Sequence, residues 1–159
     1  MYLSAKVNTQ IFDTTECTIA LEKATISLTI SEKYFHALGA IHGSVYFKLL
    51  DDAAFFAVNS IVEDVFVLTT SFNTNIIRPA NSGKITAVGK VRHKSKNLFV
   101  AASTLYNDAG KEIAFGTGNF VKVRLDCLKK LVINKMRTHN KVSSIVDYLN
   151  YSLKSNRKV

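Results

Sequence analysis

Hydrophobic residues occupy almost every position from Gly43 to Ser60, and this pattern predicts a buried helix. Only three charged residues, Lys48, Asp51 and Asp52, interrupt the apolar run. A helix that is apolar on most sides has to be covered by other parts of the fold. We therefore expect the rest of the chain to wrap around it.

Alternation of apolar and polar residues predicts strands on both sides of this helix. Between Val65 and Ile77, one face of a strand is expected to carry Phe66, Leu68, Phe72 and Ile76, with polar residues on the other face. The other predicted strands span 17–21, 24–30, 84–92, 98–106 and 112–123. Turn residues separate the later strands, and the hairpin at 107–111 places Gly110 where a positive φ is expected.

The order of these elements predicts an α+β domain, because one long helix is followed by four strands that short links connect. An antiparallel sheet curled around a single helix accounts for the short links and for the buried helix. We assign residues 1–123 to this domain. Residues 124–159 form a separate extension, in which apolar residues at helical spacing between 142 and 153 predict an amphipathic helix.

The basic character of the chain is concentrated in this extension. The chain has 21 Lys and Arg, 12 Asp and Glu, and a net charge of +9. Residues 1–123 hold 12 of these cations and 10 of the anions, whereas residues 124–159 hold 9 cations and 2 anions. Such charge suits nucleic acid, an anionic membrane or a phosphate-bearing molecule. We expect no nucleic-acid partner, because the extension has few aromatic residues and no known nucleic-acid-binding motif.

The cysteines and the N-terminal residues indicate in which cellular compartment the protein is expected. Cys17 and Cys127 lie far apart, without the spacing of a metal site or a disulfide framework. The first residues lack the pattern of a signal peptide, and no apolar stretch approaches the length of a membrane span. We therefore expect a cytoplasmic protein with reduced thiols and no bound metal.

Asp51 and Asp52 require an explanation, because a carboxylate in a buried helix is costly unless it is paired, hydrogen-bonded or hydrated. One alternative is that the helix has an exposed edge and both side chains face water. The other is catalysis together with His42 and Gly43, since a helix start leaves backbone N–H groups free to polarise an oxyanion. His42 and Asp51 would lie roughly 13 Å apart along one helix. We therefore expect them to cooperate across a subunit boundary, in a two-fold dimer with antiparallel helices.

Two segments of the chain, at a fixed distance from each other in sequence, together resemble the motifs of a known protein family. Residues 40–51 read Ala-Ile-His-Gly-Ser-Val-Tyr-Phe-Lys-Leu-Leu-Asp, and residues 69–80 read Thr-Thr-Ser-Phe-Asn-Thr-Asn-Ile-Ile-Arg-Pro-Ala. Together they resemble the hotdog-fold acyl-CoA thioesterases, most closely the branch with the phenylacetate-degradation enzymes. The similarity extends from about Ser31 to Val123. It implies a hotdog fold and a thioester hydrolase that works as a homodimer or a dimer of dimers, with active sites at the dimer interface.

The resemblance also implies roles for individual residues. By position, Asp51 resembles the nucleophile or general base of the family, and Thr69 resembles its water-positioning hydroxyl. The turn at His42 and Gly43 resembles the group whose backbone N–H binds the thioester oxygen. The implied chemistry requires no metal and no cofactor, because coenzyme A is part of the substrate.

Two positions depart from the family pattern. His36 stands where the family often has an asparagine, and a histidine can also donate a hydrogen bond to a thioester or to water. Ser44 stands where the family often has a second glycine. A serine allows a smaller range of φ and ψ angles at the helix start than a glycine does. Either substitution is compatible with activity or with its loss.

Coenzyme A carries several phosphates, so its site requires cations near the mouth of an apolar acyl tunnel. The short basic link predicted at 93–97 and the preceding strand end hold Arg92, Lys94 and Lys96, and Arg78 lies at the turn before Pro79. These four are the candidates for phosphate binding. The alternative is a solvent-exposed basic hairpin that protects a sheet edge. We expect the extension to cover a sheet edge or the neighbouring subunit, with peripheral contact to an anionic membrane as another option.

A second functional class fits the same resemblance. A non-catalytic hotdog protein that binds acyl-CoA in a regulatory role is the main alternative to a thioesterase. Repressors of that kind lack the helix aspartate and carry an N-terminal DNA-binding module, whereas Asp51 is present and no such module is expected within residues 1–30. A hotdog dehydratase fits less well, because we find no His-x-Pro-Gly-like motif with a downstream glutamate.

Overall fold

The computed structural model describes residues 2–62 and 65–123. This part of the chain contains the helices Lys6–Gln10 (α1) and Gly43–Asn59 (α2), and a turn of 3₁₀ helix at Glu32–Tyr34. Its six strands are Glu16–Ala20 (β1), Lys23–Thr29 (β2), Phe66–Ile76 (β3), Lys84–Lys94 (β4), Leu98–Tyr106 (β5) and Glu112–Val123 (β6).

The six strands form one antiparallel sheet in the order β1-β2-β4-β5-β6-β3. Although β3 directly follows helix α2 in the chain, it lies at the sheet edge next to β6. Just beyond β3, the N–H groups of Ile77 and Arg78 donate to Ile113 O of β6 at 2.9 and 3.1 Å. The predicted α+β architecture, an antiparallel sheet around one long helix, is confirmed.

Helix α2 packs against one face of the sheet, which we call the inner face. Gly89 of β4 allows the closest approach, since a Cβ at this position would lie 2.1 Å from Ala53 O. Ser103 Oγ of β5 donates a buried hydrogen bond of 2.7 Å to Leu50 O. The buried residues of the helix are Val45, Tyr46, Leu49, Leu50, Ala53, Ala54, Ala57 and Val58. The side of the helix that faces the sheet is therefore buried, as the sequence predicts, whereas Phe47 on the same helix is 44% exposed.

The predicted face of β3 is wrong at the N-terminal end of the strand. Phe66 and Leu68 are each 45% exposed, whereas Val67 between them is fully buried. Further along the strand Phe72 packs toward the helix, with its ring centroid 5.8 Å from that of Phe47. The inward-facing positions thus change from odd to even numbers between residues 67 and 72, so a single two-residue period does not describe this strand.

The other predicted boundaries agree with the structure to within two residues, and Gly110 has the expected positive φ of 71°. The largest difference is at β4, which continues to Lys94, so the link to β5 is shorter than predicted. Helix α1 was not predicted, because five residues are too few for a periodic pattern. Its buried residue Asn8 donates a side-chain hydrogen bond of 2.8 Å to Tyr2 O.

The amphipathic helix predicted at 142–153, like the whole extension 124–159, lies outside the described residues. Its docking and its membrane contact therefore stay predictions. Within the described part of the chain, no helix is long and apolar enough to cross a membrane.

Candidate active site

Asp51 lies in the middle of α2 and contacts the edge strand β3. Thr69 Oγ1 donates a hydrogen bond of 3.1 Å to Asp51 Oδ1, and both residues are half-buried. Burial raises the pKa of the Asp51 carboxyl, and the Thr69 hydrogen bond is the main opposing influence. Smaller charge effects from Asp52 and Lys48 raise and lower this pKa, respectively. The result is a carboxylate that holds a proton more tightly than usual, which suits a general base or a nucleophile.

Asp52 has a different environment from its neighbour. Its Oδ2 accepts hydrogen bonds from Lys48 Nζ and from the Tyr2 hydroxyl, and Lys48 Nζ also donates to the Tyr2 hydroxyl at 3.1 Å. The ring of Tyr2 packs edge-on against Phe56, with centroids 4.7 Å apart. Neither aspartate is exposed, so the alternative in which both face water does not describe this helix.

Sequence reasoning missed this network of Tyr2, Lys48 and Asp52. The spacing of Lys48 and Asp52, four residues apart on a predicted helix, is a signal that indicates their ion pair. Tyr2 carries no such signal, because it lies 50 residues before its partner in the chain. Of the two neighbouring aspartates, Asp52 therefore has a cationic hydrogen-bond partner, whereas Asp51 has its hydrogen bond from the neutral hydroxyl of Thr69.

The N-terminus of α2 is formed by His42 and Gly43. His42 is the N-cap, and its Nδ1 accepts the Ser44 N–H at 3.2 Å and lies 2.8 Å from Ser44 Oγ. The N–H of His42 donates to Tyr34 O at 2.8 Å. As the first residue of the helix, Gly43 has an N–H without an acceptor inside the helix. The imidazole thus caps the helix through Ser44, while the Gly43 N–H can serve a ligand.

A cavity of about 340 Å³ opens beside Gly43. Its walls include His36, Gly43, Tyr46, Ile76 and Arg78. His36 is exposed, and its Nδ1 accepts the Leu38 N–H at 3.1 Å. Arg78 Nη1 donates to Glu112 O at 2.5 Å. The structure therefore brings together three residues that the sequence predicted for the site, namely His36, Gly43 and Arg78.

Asp51 does not reach this cavity within one chain. Gly43 and Asp51 are eight residues apart on α2, which corresponds to about 12 Å along its axis. Neither Asp51 nor Thr69 lines the cavity. The described residues thus form two half-sites, which we call the carboxylate half-site (Asp51 and Thr69) and the amide half-site (His36, Gly43 and Arg78).

The remaining basic candidates do not line the cavity of the amide half-site. Arg92 and Lys94 belong to strand β4, and Lys96 follows in the link to β5. Lys94 Nζ forms an ion pair of 2.6 Å with Glu22 Oε1. Arg92 lines a separate cavity. The structure therefore separates these three residues from Arg78.

Comparison with known proteins agrees with the fold. Residues 38–114, just under half of the chain, match the family model described as the thioesterase superfamily. The chain has the hotdog fold of this superfamily. The matched segment includes Gly43, Asp51, Thr69 and Arg78, whereas His36 lies just before it. No protein with a curated description matches the chain.

Solved structures of hotdog proteins are similar to the chain at low sequence identity. The PaaI protein from the phenylacetic acid degradation operon of E. coli is 22% identical over 77% of this chain and 88% of its own, with a TM-score of 0.70. A thioesterase mutant from Staphylococcus aureus is 21% identical over 73% and 96% of the two chains, with a TM-score of 0.68. A thioesterase from Haemophilus influenzae is 19% identical over 70% and 79%, with a TM-score of 0.65. These likenesses establish the fold, and the family match supports a thioester hydrolase.

Proposed function

We propose that the protein hydrolyses the thioester bond of an acyl-CoA at a site that two copies of the chain share. The observation that carries the proposal is the hydrogen bond of 3.1 Å between Thr69 and Asp51. Asp51 lies on the helix whose first residue, Gly43, borders a cavity. Thioester hydrolysis requires a carboxylate that attacks or activates water, and a donor that stabilises the carbonyl oxygen as it becomes negative. The two half-sites supply one requirement each.

A second copy of the chain would complete each site. In a two-fold dimer with antiparallel α2 helices, the Asp51 of one copy would approach the Gly43 of the other, and this would occur twice. Strand β3 lies at the sheet edge, and its residues Phe66, Leu68 and Ile76 are 45–48% exposed. Proteins usually cover an apolar edge strand, because its unpaired backbone groups invite pairing with another strand. The exposed apolar edge of β3 therefore supports a homodimer, alone or as half of a dimer of dimers.

The reaction follows from the chemistry of these groups. The thioester oxygen accepts the Gly43 N–H at the positive end of the helix dipole. Asp51 either attacks the carbonyl carbon, giving an anhydride that water then cleaves, or takes a proton from a water molecule whose oxygen attacks. Thr69 holds the carboxylate or the water in position. In both routes the C–S bond breaks, and the departing thiolate of coenzyme A takes up a proton.

Two other residues of the amide half-site suit an acyl-CoA. His36, on the cavity wall, is a candidate hydrogen-bond donor to the thioester or to the attacking water. Arg78 provides a cation at the same cavity, which suits a phosphate of coenzyme A. Coenzyme A enters as part of the substrate, and the proposed steps use no metal ion or separate cofactor.

Release of free thiol from a panel of short, long and aromatic acyl-CoAs tests this function. We expect the wild type to cleave at least one of them, and Asp51→Asn to lower kcat by about 100-fold or more. Asp13→Asn is the matched control, because it removes an exposed carboxylate that pairs with Lys33. Burial raises the pKa of Asp51, so its charge costs stability at neutral pH, and Asp51→Asn should melt no lower than the wild type. Binding of every acyl-CoA without release would overturn the proposal in favour of a non-catalytic acyl-CoA-binding protein.

A further inference from the structure

The face of the sheet opposite α2, the outer face, carries a cavity that the proposed reaction does not use. This cavity has a volume of about 180 Å³. It is lined by Val88, Lys90, Arg92, Ala102, Thr104 and Tyr106, and we call it the outer-face groove. Along β4 and β5 these residues alternate with buried residues of the inner face, such as Gly89 and Ser103, which contact the helix. The groove therefore lies across the sheet from helix α2.

Arg92 lies two residues after Lys90 on β4, at a β-bulge. The register of β4 and β5 shifts at this point, because Val91 pairs with Ala101 whereas His93 pairs with Val100. Arg92 is thus the extra residue of the bulge, and no residue of β5 stands directly opposite it. Bulges are common where a strand directs a side chain toward a functional site.

The groove and its surroundings concentrate positive charge. Lys23 of β2 is the register partner of Lys90, so these two lysines stand side by side on the outer face. Like charges directly opposite each other in a sheet are destabilising. With Arg92, three cations lie close together, and the lining of the groove includes no carboxylate. A bound anion would offset the repulsion among these cations.

The cations of the groove have no carboxylate partner among the described residues, as is also true of several other lysines there. Four lysines of the described residues form ion pairs with carboxylates, and these are Lys33, Lys48, Lys84 and Lys94. Within the same part of the chain, Lys23, Lys90 and Arg92 form no ion pair. Glu22, next to Lys23 in sequence, is already paired with Lys94 at 2.6 Å. The positive charge of the groove is therefore available to a ligand.

We propose that the outer-face groove binds a phosphate group of a small phosphorylated molecule. Lys90 and Arg92 supply the charge, and the planar guanidinium of Arg92 can donate two parallel hydrogen bonds to phosphate oxygens. The hydroxyls of Thr104 and Tyr106 supply neutral donors from the neighbouring strand. None of these four residues belongs to either half-site, so the groove is a binding site whether or not Asp51 is catalytic.

Calorimetric titration of the full chain with inorganic pyrophosphate, coenzyme A and 3′-dephospho-coenzyme A, at one low salt concentration, tests the proposal. The wild type should bind at least one of these probes saturably. The double variant Lys90→Gln, Arg92→Gln should bind it about tenfold more weakly or worse, because it loses two charge-assisted contacts. Lys6→Gln, Lys111→Gln is the matched control, since it removes the same charge at two exposed positions outside the groove and should leave the affinity unchanged.

The probes also distinguish the sources of the phosphate. Pyrophosphate binding that is lost in the double variant Lys90→Gln, Arg92→Gln (the groove variant) supports a site for a free phosphorylated ligand. Tighter binding of coenzyme A than of its 3′-dephospho form, with the difference lost in the groove variant, supports a site for the 3′-phosphate of coenzyme A. Equal affinities in the wild type and the groove variant, or no saturable binding of any probe, would overturn the proposal. The titration requires no thioester turnover, so its result does not depend on the outcome of the Asp51→Asn assay.

Discussion

Replacing Gly43 by proline removes one N–H from the amide half-site and should leave the helix intact. Proline is tolerated at the first position of a helix, where the missing N–H has no intrahelical acceptor and the fixed φ suits the helix. His42, the preceding residue, has φ −66° and ψ 147°, an extended conformation that is favoured before proline. A Cβ at position 43 would lie 3.4 Å from Ile76 Cδ1, so a side chain requires little adjustment.

The expected effect on catalysis is large because the lost donor serves the transition state. Removal of one donor to a developing oxyanion lowers kcat by about 10²–10³, equivalent to about 2.7–4 kcal/mol. Gly43→Ala is the matched control, since it adds the same Cβ but keeps the N–H. It should therefore retain most of the wild-type kcat.

Thiol release at saturating acyl-CoA gives kcat for the wild type, Gly43→Ala and Gly43→Pro. Thermal melting followed by circular dichroism reports whether both variants fold, and we expect a proline here to change the free energy of unfolding by no more than about 1 kcal/mol. Equal kcat values for the folded alanine and proline variants would refute the role of the Gly43 N–H.

Three further predictions concern the surroundings of the site. Asp52→Asn removes a charge that raises the pKa of Asp51, so the acid limb of the kcat profile should move to lower pH; an upward shift would contradict this. Gly89→Ala would place a Cβ 2.1 Å from Ala53 O and should lower the free energy of unfolding in urea by about 1–3 kcal/mol or more; an unchanged midpoint would count against this packing. Leu68→Lys places a charge on the exposed edge strand and should shift the protein toward monomer in sedimentation velocity, whereas an unaffected dimer would exclude β3 from the interface.

The fold was predictable wherever the pattern depends on local packing. The apolar run from Gly43 indicates a helix that the sheet covers, and the alternation at 98–106 and 112–123 gives the exact bounds of β5 and β6. The pattern fails at Phe66 and Leu68, because an apolar residue on an exposed sheet edge has the same sequence signature as one in a core. Helix α1 escapes prediction because contacts such as that of Asn8 with Tyr2 hold it, rather than its own periodicity.

The candidate site was predictable in part. Geometry along the helix shows that Gly43 and Asp51 cannot act together within one chain, and this follows from sequence spacing alone. Assigning Thr69 to the same site as Asp51 required the family resemblance, because these residues come from different elements, and their hydrogen bond is seen only in the structure. Arg92 and Lys94 were predicted together because they are close in sequence, but their surroundings differ. Arg92 lines the outer-face groove, whereas Lys94 is paired with Glu22.

Mixing two inactive variants tests the shared active site most directly. Asp51→Asn lacks the carboxylate and Gly43→Pro lacks the donor, so each variant alone should have two defective sites per dimer. A mixed dimer has one site with both substitutions and one intact site, if each site takes Asp51 from one copy and Gly43 from the other. Co-refolding equal amounts should therefore restore about a quarter of the wild-type thiol release per dimer, because half of the dimers are mixed and each has one working site. Activity that stays at the level of the separate variants, despite verified subunit mixing, would contradict a site shared between two copies.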